Sequence, residues 1–139
     1  MKTLTSIYVH VITSTRHREP AIPEELDGPL HGYIDEILQR RGSRAVASGG
    51  SDDHRHVLMK LGLEDSLSAA IRRFKSSASG WLKNKCPSWP GWQAGYAAFT
   101  VSPEDVPNLC RYIGRQREHH RSKAFGDEWD QMTQESSAA

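Results

Sequence analysis

The segment from Leu4 to Thr15 constrains the fold of this chain more than any other part of the sequence. Its residues alternate in the manner of a β-strand, in which every second side chain points to the same face of a sheet. One face carries Ile7, Val9, Val11 and Thr13, and the other carries Tyr8, His10, Ile12 and Ser14. Both faces are mostly apolar or β-branched, which is typical of a strand covered on both sides. We therefore predict that this segment is a central strand of a β-sheet.

Strand-like and helix-like segments alternate in the rest of the chain. Proline is favoured in the first turn of a helix and glycine just after the last turn, while serine and aspartate cap helix starts. Helices are predicted from Pro23 to Gly42, from Asp65 or Ser66 onwards, and from Pro103 to about Ala124. Further strands are predicted at residues 43–48, 53–61 and 95–101, with a turn at residues 49–52.

The resulting order, β-α-β-β-α-β-α, limits the architecture. Its first six elements match the split βαβ, or ferredoxin-like, arrangement. We therefore predict an α+β protein in which a ferredoxin-like core is followed by a C-terminal helix. Residues 1–132 are predicted to form a single domain, and residues 133–139 a disordered tail.

Length and composition limit the class of protein. The chain has 139 residues, of which 37% are hydrophobic and 25% charged, as in a globular domain with a sizeable core. No apolar run reaches the roughly 18 residues of a membrane span, and the N-terminus lacks the apolar stretch of a signal peptide. Cys86 and Cys110 form no CxxC pair, so we expect a reduced, cytoplasmic setting.

Basic residues are clustered although the net charge is only +1. The segment from Ala69 to Cys86 contains five basic residues and no acid, and Arg111 to Lys123 contains five against one acid. Such clusters indicate either a nucleic-acid-binding surface or ordinary solvated helix faces. The candidate DNA-binding residues are Arg72, Lys75, Lys83, Arg115 and His119.

Two pairs of polar residues indicate a catalytic site. His54 and His56 are two apart on a predicted strand, so both imidazoles point to one face and could bind one metal ion. Tyr112 and Gln116 are four apart on the last helix, so a phenol lies beside an amide oxygen. A metal and a tyrosine, without a cluster of serine, cysteine or carboxylate nucleophiles, indicate phosphoryl transfer on nucleic acid. Each pair also arises by chance, and Tyr112 could instead lie at the core boundary.

Several segments in a fixed order resemble one protein family. They are Tyr8–Ile12, Gly50–His56, Phe74–Leu82, Trp92–Ser102 and Tyr112–Arg121. Together they resemble the single-tyrosine HUH transposases of bacterial and archaeal insertion sequences, the IS200-like family, which is related to the REP-associated tyrosine transposases. The resemblance covers nearly the whole chain.

The resemblance implies a DNA transposase that uses a divalent metal, Mg²⁺ or Mn²⁺. Tyr112 would attack single-stranded DNA at hairpin-bearing element ends and form a covalent 5′-phosphotyrosine. His54, His56 and Gln116 would bind the metal, since two nitrogens and an oxygen suit Mn²⁺ and also accept Mg²⁺. His119 could help to deprotonate the tyrosine. The resemblance also implies a homodimer in which the tyrosine helix of one subunit completes the site of the other, and a cytoplasmic, nucleoid-associated protein.

One residue departs from the family pattern. The position between the two histidines is usually a bulky hydrophobic residue, and here it is Arg55. Val57, Met59 and Leu61 keep the core parity of the strand, so we expect the register to survive. A buried unpaired arginine is costly, so Arg55 should reach solvent or a carboxylate. The departure leaves open a catalytically inactive or domesticated protein that only binds DNA hairpins.

Three other expectations concern the histidine pair and the aromatic residues. A metal-dependent hydrolase with zinc at the histidine pair would need a carboxylate base, for which only Asp52 and Asp53 are near in sequence. Trp89 and Trp92 could stack on unpaired bases but are more often packing residues that fix their loop. Tyr96 lies in an apolar predicted strand and is expected to pack in the core.

Overall fold

Four antiparallel strands form the sheet. A computed structural model describes the backbone of residues 1–119 and the side chains of residues 1–118. The strands are β1 (Tyr8–Ser14), β2 (Arg44–Gly50), β3 (His54–Lys60) and β4 (Ala97–Val101), in the order β2-β3-β1-β4. β1 lies between β3 and β4, which confirms the central position predicted from its two apolar faces. The predicted α+β, ferredoxin-like core is confirmed as well.

Two long helices cover one face of this sheet. α1 is Asp27–Gln39 and α2 is Leu67–Lys85. Alternation along the strands selects the side chains that face these helices. The shared core includes Val9, Val11, Val57 and Met59 from the sheet and Leu30, Ile34, Ile71 and Phe74 from the helices. Burial of these apolar side chains is the main favourable term in folding.

The last described helices cover the opposite face. α3 is Val106–Gly114 and packs against β2 and β3 with Ile113 buried. The closest approach is at Gly49 of β2, where a Cβ atom would lie 2.6 Å from the backbone oxygen of Ile113. Glycine at this position therefore lets the helix lie directly against the sheet.

The single C-terminal helix predicted from Pro103 is interrupted. α3 ends at Gly114, and Arg115 has φ −106° and ψ 15°, outside the helical range. The short helix α4 then spans Gln116–His119. The low helix propensity of glycine explains the position of the break. The backbone N–H of Arg115 donates to the Tyr112 carbonyl at 3.2 Å and tightens this last turn.

Several other boundaries differ from the prediction; β4 begins at Ala97 instead of residue 95, and α3 begins at Val106 after a 3₁₀ turn at Pro103–Asp105. Residues 4–7 are exposed and lie before the strand, because Tyr8 already pairs with the last residues of β3 and β4. α1 begins at Asp27 instead of Pro23, since Pro23 is extended and precedes a 3₁₀ turn. β2 continues to Gly50, where a turn was predicted, because its last glycines still pair with β3. Of the two predicted caps of α2, Ser66 accepts the capping hydrogen bond.

Several predictions concern parts of the chain that lie outside the described residues. They are the helix end near residue 124, the domain end at residue 132, the tail at 133–139 and the side chain of His119. Within the described part, no helix is both long and apolar enough to cross a membrane.

Candidate active site

The two histidines of β3 project towards the face covered by α3 and α4. His54 and His56 are both fully buried, and their ring centroids are 5.0 Å apart. Arg55 between them points to the opposite side of the sheet, as alternation requires. The structure therefore brings the two imidazoles together, as their spacing predicted.

The Nδ1 atom of His54 is held by the turn between β2 and β3. Ser51 Oγ and Asp53 Oδ1 each lie 2.9 Å from it, and the Ser51 hydroxyl donates to Asp53 Oδ1 at 2.9 Å. Burial alone would raise the pKa of Asp53, but the hydrogen bonds from His54 and Ser51 outweigh burial and lower that pKa to about 2. An ionised carboxylate only accepts hydrogen bonds, so Nδ1 of His54 carries a proton and points Nε2 away from the turn.

The Nδ1 atom of His56 meets a third histidine, which sequence analysis did not select. His10 of β1 places its Nε2 atom 2.7 Å from His56 Nδ1, and the two rings stack with centroids 5.0 Å apart. Burial lowers the pKa of His10 to about 4, so this imidazole is neutral at pH 7. The contact depends on the pairing of β1 with β3. The sequence feature that could have identified His10 is a histidine in a mostly apolar predicted strand.

Gln116 joins this group from the start of α4. Its side chain is buried, and Oε1 lies 3.1 Å from Nε2 of His54. Neighbouring ligands at about 2.1 Å from an octahedral ion are about 3 Å apart, so the separation suits two ligands of one Mg²⁺ or Mn²⁺. Among the described residues, no group of three or more His, Cys, Asp or Glu could hold a metal ion. The amide oxygen of Gln116 is a candidate third donor beside the two imidazoles.

Tyr112 lies in the last turn of α3, beside the same group. Its half-buried ring meets His56 edge-on, with centroids 5.8 Å apart and an interplanar angle of 90°. The four residues predicted from spacing therefore meet within one chain. Completion of the site by a second subunit is not needed for these contacts and stays a prediction.

Arg55 is paired with a carboxylate, one of the two arrangements expected from the sequence. Its guanidinium is fully buried and donates from Nη1 to Asp27 Oδ1 and from Nη2 to the Asp27 backbone oxygen, both at 2.9 Å. Val57 and Met59 lie in the core, so the predicted parity of β3 is confirmed. Arg55 therefore adds a buried ion pair beneath the histidines without shifting the strand.

Two of the predicted DNA-binding lysines hold a loop. Lys75 Nζ donates to the backbone oxygens of Gln93 at 3.2 Å and Gly95 at 2.8 Å. Lys83 Nζ donates to the backbone oxygen of Pro87 at 2.7 Å. Both ammonium groups thus stabilise the segment between α2 and β4, which limits what they can offer to a phosphate.

The predicted arginines are exposed and lie in different places. Arg72 lines a groove of about 590 Å³ between α2 and the loop before β4. Arg115 lines a smaller pocket of about 290 Å³ next to Gln116. Since α2 and α3 cover opposite faces of the sheet, the structure does not group Arg72 with the histidines.

The aromatic residues of this loop have distinct roles. Trp89 and Trp92 are buried and pack edge-to-face with centroids 4.9 Å apart. Their indole nitrogens donate to Ser79 Oγ at 3.0 Å and to the Lys75 backbone oxygen at 3.1 Å. They are packing residues, which is the more common of the two roles expected for them from the sequence. Tyr96 was expected in the core, but it precedes β4 and is 46% exposed, so that prediction was wrong.

Comparison with protein families identifies the relatives of this chain. A family model described as IS200-like transposase matches residues 3–116. The chain belongs to the IS200-like transposase family. The matched region of this transposase contains both histidines of β3, Tyr112 and Gln116. A comparison with curated protein sequences gave no match.

Solved structures share the fold of this IS200-like transposase. A candidate transposase from Deinococcus radiodurans has a TM-score of 0.64 at 21% identity, over 84% of this chain and 95% of that chain. A REP-associated tyrosine transposase bound to a REP hairpin has a TM-score of 0.60 at 16% identity, over 86% of this chain and 74% of that chain. At these identities the likeness supports the fold, and the bound hairpin is a property of the neighbour.

Proposed function

We propose that this IS200-like transposase cleaves and rejoins single-stranded DNA by transesterification through Tyr112. The observation that carries the proposal is the contact between the rings of Tyr112 and His56, 5.8 Å apart, beside Gln116 and His54. A phenol next to three potential metal ligands suits nucleophilic attack on a phosphodiester.

The proposed step exchanges one phosphodiester bond for another. The phenol oxygen of Tyr112 bonds to phosphorus as the P–O3′ bond breaks. One DNA fragment then remains on the protein as a 5′-phosphotyrosine, and the other leaves with a 3′-OH that has gained a proton. Attack by a 3′-OH on the phosphotyrosine rejoins the DNA, so no ATP is consumed. A free phenol has a pKa near 10, so nearby positive charge or a base such as the predicted His119 must help to remove its proton.

We infer that the site holds Mg²⁺ or Mn²⁺ through Nε2 of His54, Nε2 of His56 and Oε1 of Gln116. A bound ion would supply positive charge to the phosphate oxygens. The surrounding groups favour this role for the imidazoles. Asp53 keeps the proton of His54 on Nδ1, and a neutral His10 can accept the Nδ1 proton of His56 in the same way.

We propose single-stranded DNA with hairpins as the substrate. Support comes from the family and from a structural neighbour that is bound to a REP hairpin. The exposed Arg72 and Arg115 are candidates for phosphate contacts that depend on salt concentration. A homodimer with exchanged tyrosine helices, and a nucleoid-associated location in the cytoplasm, follow from the family resemblance and belong to the same proposal.

Two alternatives are outcomes of the same test. The hairpin-binding protein without activity was suggested by Arg55, but Arg55 is paired with Asp27, so its guanidinium is not an unpaired buried charge. The metal-dependent hydrolase needs a carboxylate base, whereas the carboxylate of Asp53 accepts hydrogen bonds from His54 and Ser51.

The proposal is tested with single-stranded DNA covering the regions that flank the gene of this protein. DNA incubated with the protein and Mn²⁺ should give a covalent adduct on a denaturing gel. The adduct should disappear in Tyr112→Phe. Tyr33→Phe is the matched control, because Tyr33 of α1 stacks on Trp81 of α2, away from the histidines. This variant should retain the adduct. Binding without an adduct under any metal would support the hairpin-binding alternative, and cleavage without an adduct the hydrolase.

A further inference from the structure

A partly buried ion-pair network connects the strand of the histidines to the segment that carries Gln116. Arg55 of β3 donates to both the side chain and the backbone oxygen of Asp27, the first residue of α1. Its Nη2 also donates to Ser48 Oγ at 3.2 Å. Arg55 is fully buried, so its charge depends on Asp27 for compensation.

Asp27 is shared with a second arginine from the other end of the chain. Arg117 Nε donates to Asp27 Oδ2 at 2.7 Å, and its Nη2 donates to Asp27 Oδ1 at 3.0 Å. The same Nη2 donates to the backbone oxygen of Ile22 at 2.9 Å. This two-pronged geometry fixes a guanidinium in orientation as well as in distance.

The second arginine directly follows Gln116. The chain leaves helical geometry at Arg115, so the α3 backbone does not by itself fix the direction of α4. Asp27 belongs to the helix layer beneath the sheet, while Gln116 meets His54 on the opposite face. The contact between Arg117 and Asp27 therefore fastens α4 to α1 immediately beside the Gln116 side chain.

We propose that Asp27, Arg55 and Arg117 are positioning residues for Gln116. Arg55 fixes the carboxylate of Asp27, Asp27 fixes Arg117, and Arg117 sets the place of the Gln116 amide oxygen beside His54. Arg55, which departs from the family pattern, is thereby part of the ion-pair network that holds the proposed third metal donor. The inference rests on the proposed function for the role of Gln116, but the network itself can be tested without DNA.

The test compares Arg117→Met with Arg44→Met. Arg44 makes an equivalent two-pronged pair with Asp35 between β2 and α1, at 2.9 and 3.1 Å, and is the matched control. Arg117→Met leaves the pair of Arg55 and Asp27 intact, so the fold should persist. Backbone amides of residues 113–118 should exchange hydrogen faster in Arg117→Met and at an unchanged rate in Arg44→Met. The affinity for Mn²⁺ should fall by about tenfold or more in Arg117→Met alone.

A double substitution tests whether Arg55 and Arg117 act on Gln116 through the same carboxylate, that of Asp27. Arg55→Leu should lower Mn²⁺ affinity in the wild-type background but should have no further effect when Arg117 is already Met. Arg117→Lys, which keeps the charge and loses the two-pronged contact, should be intermediate. Unchanged exchange and unchanged Mn²⁺ affinity in Arg117→Met would overturn the inference. The adduct on Tyr112 is measured separately, so failure of the network and failure of the proposed transesterification can be distinguished.

Discussion

At the scale of single residues, the two imidazoles of β3 are oriented by different partners. Asp53 and Ser51 hold Nδ1 of His54, and His10 holds Nδ1 of His56. Each contact directs Nε2 of the ring away from its Nδ1 partner. Partners of this kind fix both the tautomer and the ring position, and they commonly matter almost as much as the metal ligands.

Asp53 should also contribute to stability in a way that depends on pH. Its pKa is about 2 in the folded protein and 3.8 in the reference state, so its contribution is fully present above pH 4 and is lost as the pH falls towards 2. Asp53→Asn should lower the free energy of unfolding at pH 7 by up to about 2 kcal/mol. Urea unfolding as a function of pH should show this difference shrinking below pH 4.

The control for this measurement is the exposed neighbour Asp52. Its backbone oxygen accepts hydrogen bonds from Ala21 and Ile22, and Asp52→Asn leaves these contacts in place. A difference between wild type and Asp53→Asn that does not change with pH would contradict the assigned hydrogen bonds to His54 and Ser51.

The sequence allowed some of these residues to be predicted and not others. His54, His56, Tyr112 and Gln116 were selected because local spacing on a strand or helix determines which side chains share a face. His10 was missed because its contact depends on the pairing of two strands 46 residues apart in sequence. The partner of Arg55 was predicted as a carboxylate, but Asp27 could not be singled out, because only the folded helix layer brings it there.

At the scale of elements, the position of α3 depends on a glycine of β2, Gly49. Gly49 faces Ile113, and the next residue, Gly50, lies close to the backbone of His54, so neither has room for a side chain. The contact at Gly49 brings the tyrosine helix against the strands that carry the histidines. A larger residue at Gly49 would push α3 outwards and carry Tyr112 away from His56.

The same substitution at two glycines should therefore have opposite effects. Gly49→Ala places a Cβ 2.6 Å from the Ile113 oxygen and 3.3 Å from its Cγ2, and should destabilise the fold by about 1–3 kcal/mol. Gly80→Ala in α2 meets no atom within 4 Å and should stabilise it by about 0.5–1 kcal/mol. Equilibrium unfolding in urea measures both. Equal effects of the two substitutions would contradict the close packing of α3 on β2.

Element order was easier to predict than element ends. Periodicity identified every strand and long helix in the described region, because it reflects which side chains are buried. The break at Arg115 was missed, since a glycine in a helical pattern is usually tolerated. The polar face of α2 was recognised, but the bonds of Lys75 and Lys83 to their loop depend on where that loop folds back.

At the scale of the whole molecule, the sheet separates the hydrophobic core from the candidate active site. One face packs on α1 and α2 and forms the core, and the other carries the histidines beneath α3 and α4. The ion pairs around Asp27 connect the two sides. A metal bound as proposed should stabilise the whole domain, because the donors proposed for it come from β3 and α4.

Mn²⁺ should therefore raise the melting temperature of the protein. A ligand at 100 times its Kd stabilises the folded state by about 2.7 kcal/mol, which corresponds to several degrees for a domain of this size. The shift should vanish in His54→Ala and in His56→Ala. His17→Asn is a suitable control, because it removes an exposed imidazole and asparagine tolerates the φ of 56° found there. An equal shift in all variants would place Mn²⁺ elsewhere.

The polarity of the covalent adduct is a direct test of transesterification through Tyr112. Single-stranded DNA labelled at its 3′ end should become attached to the protein in the presence of Mn²⁺, whereas the 5′-labelled fragment should be released with a 3′-OH that a polymerase can extend. Mass spectrometry of the digested adduct should find the nucleotide on the peptide that contains Tyr112. Attachment to another residue, attachment through a 3′-phosphate, or release of both fragments without any adduct would rule out a 5′-phosphotyrosine at Tyr112.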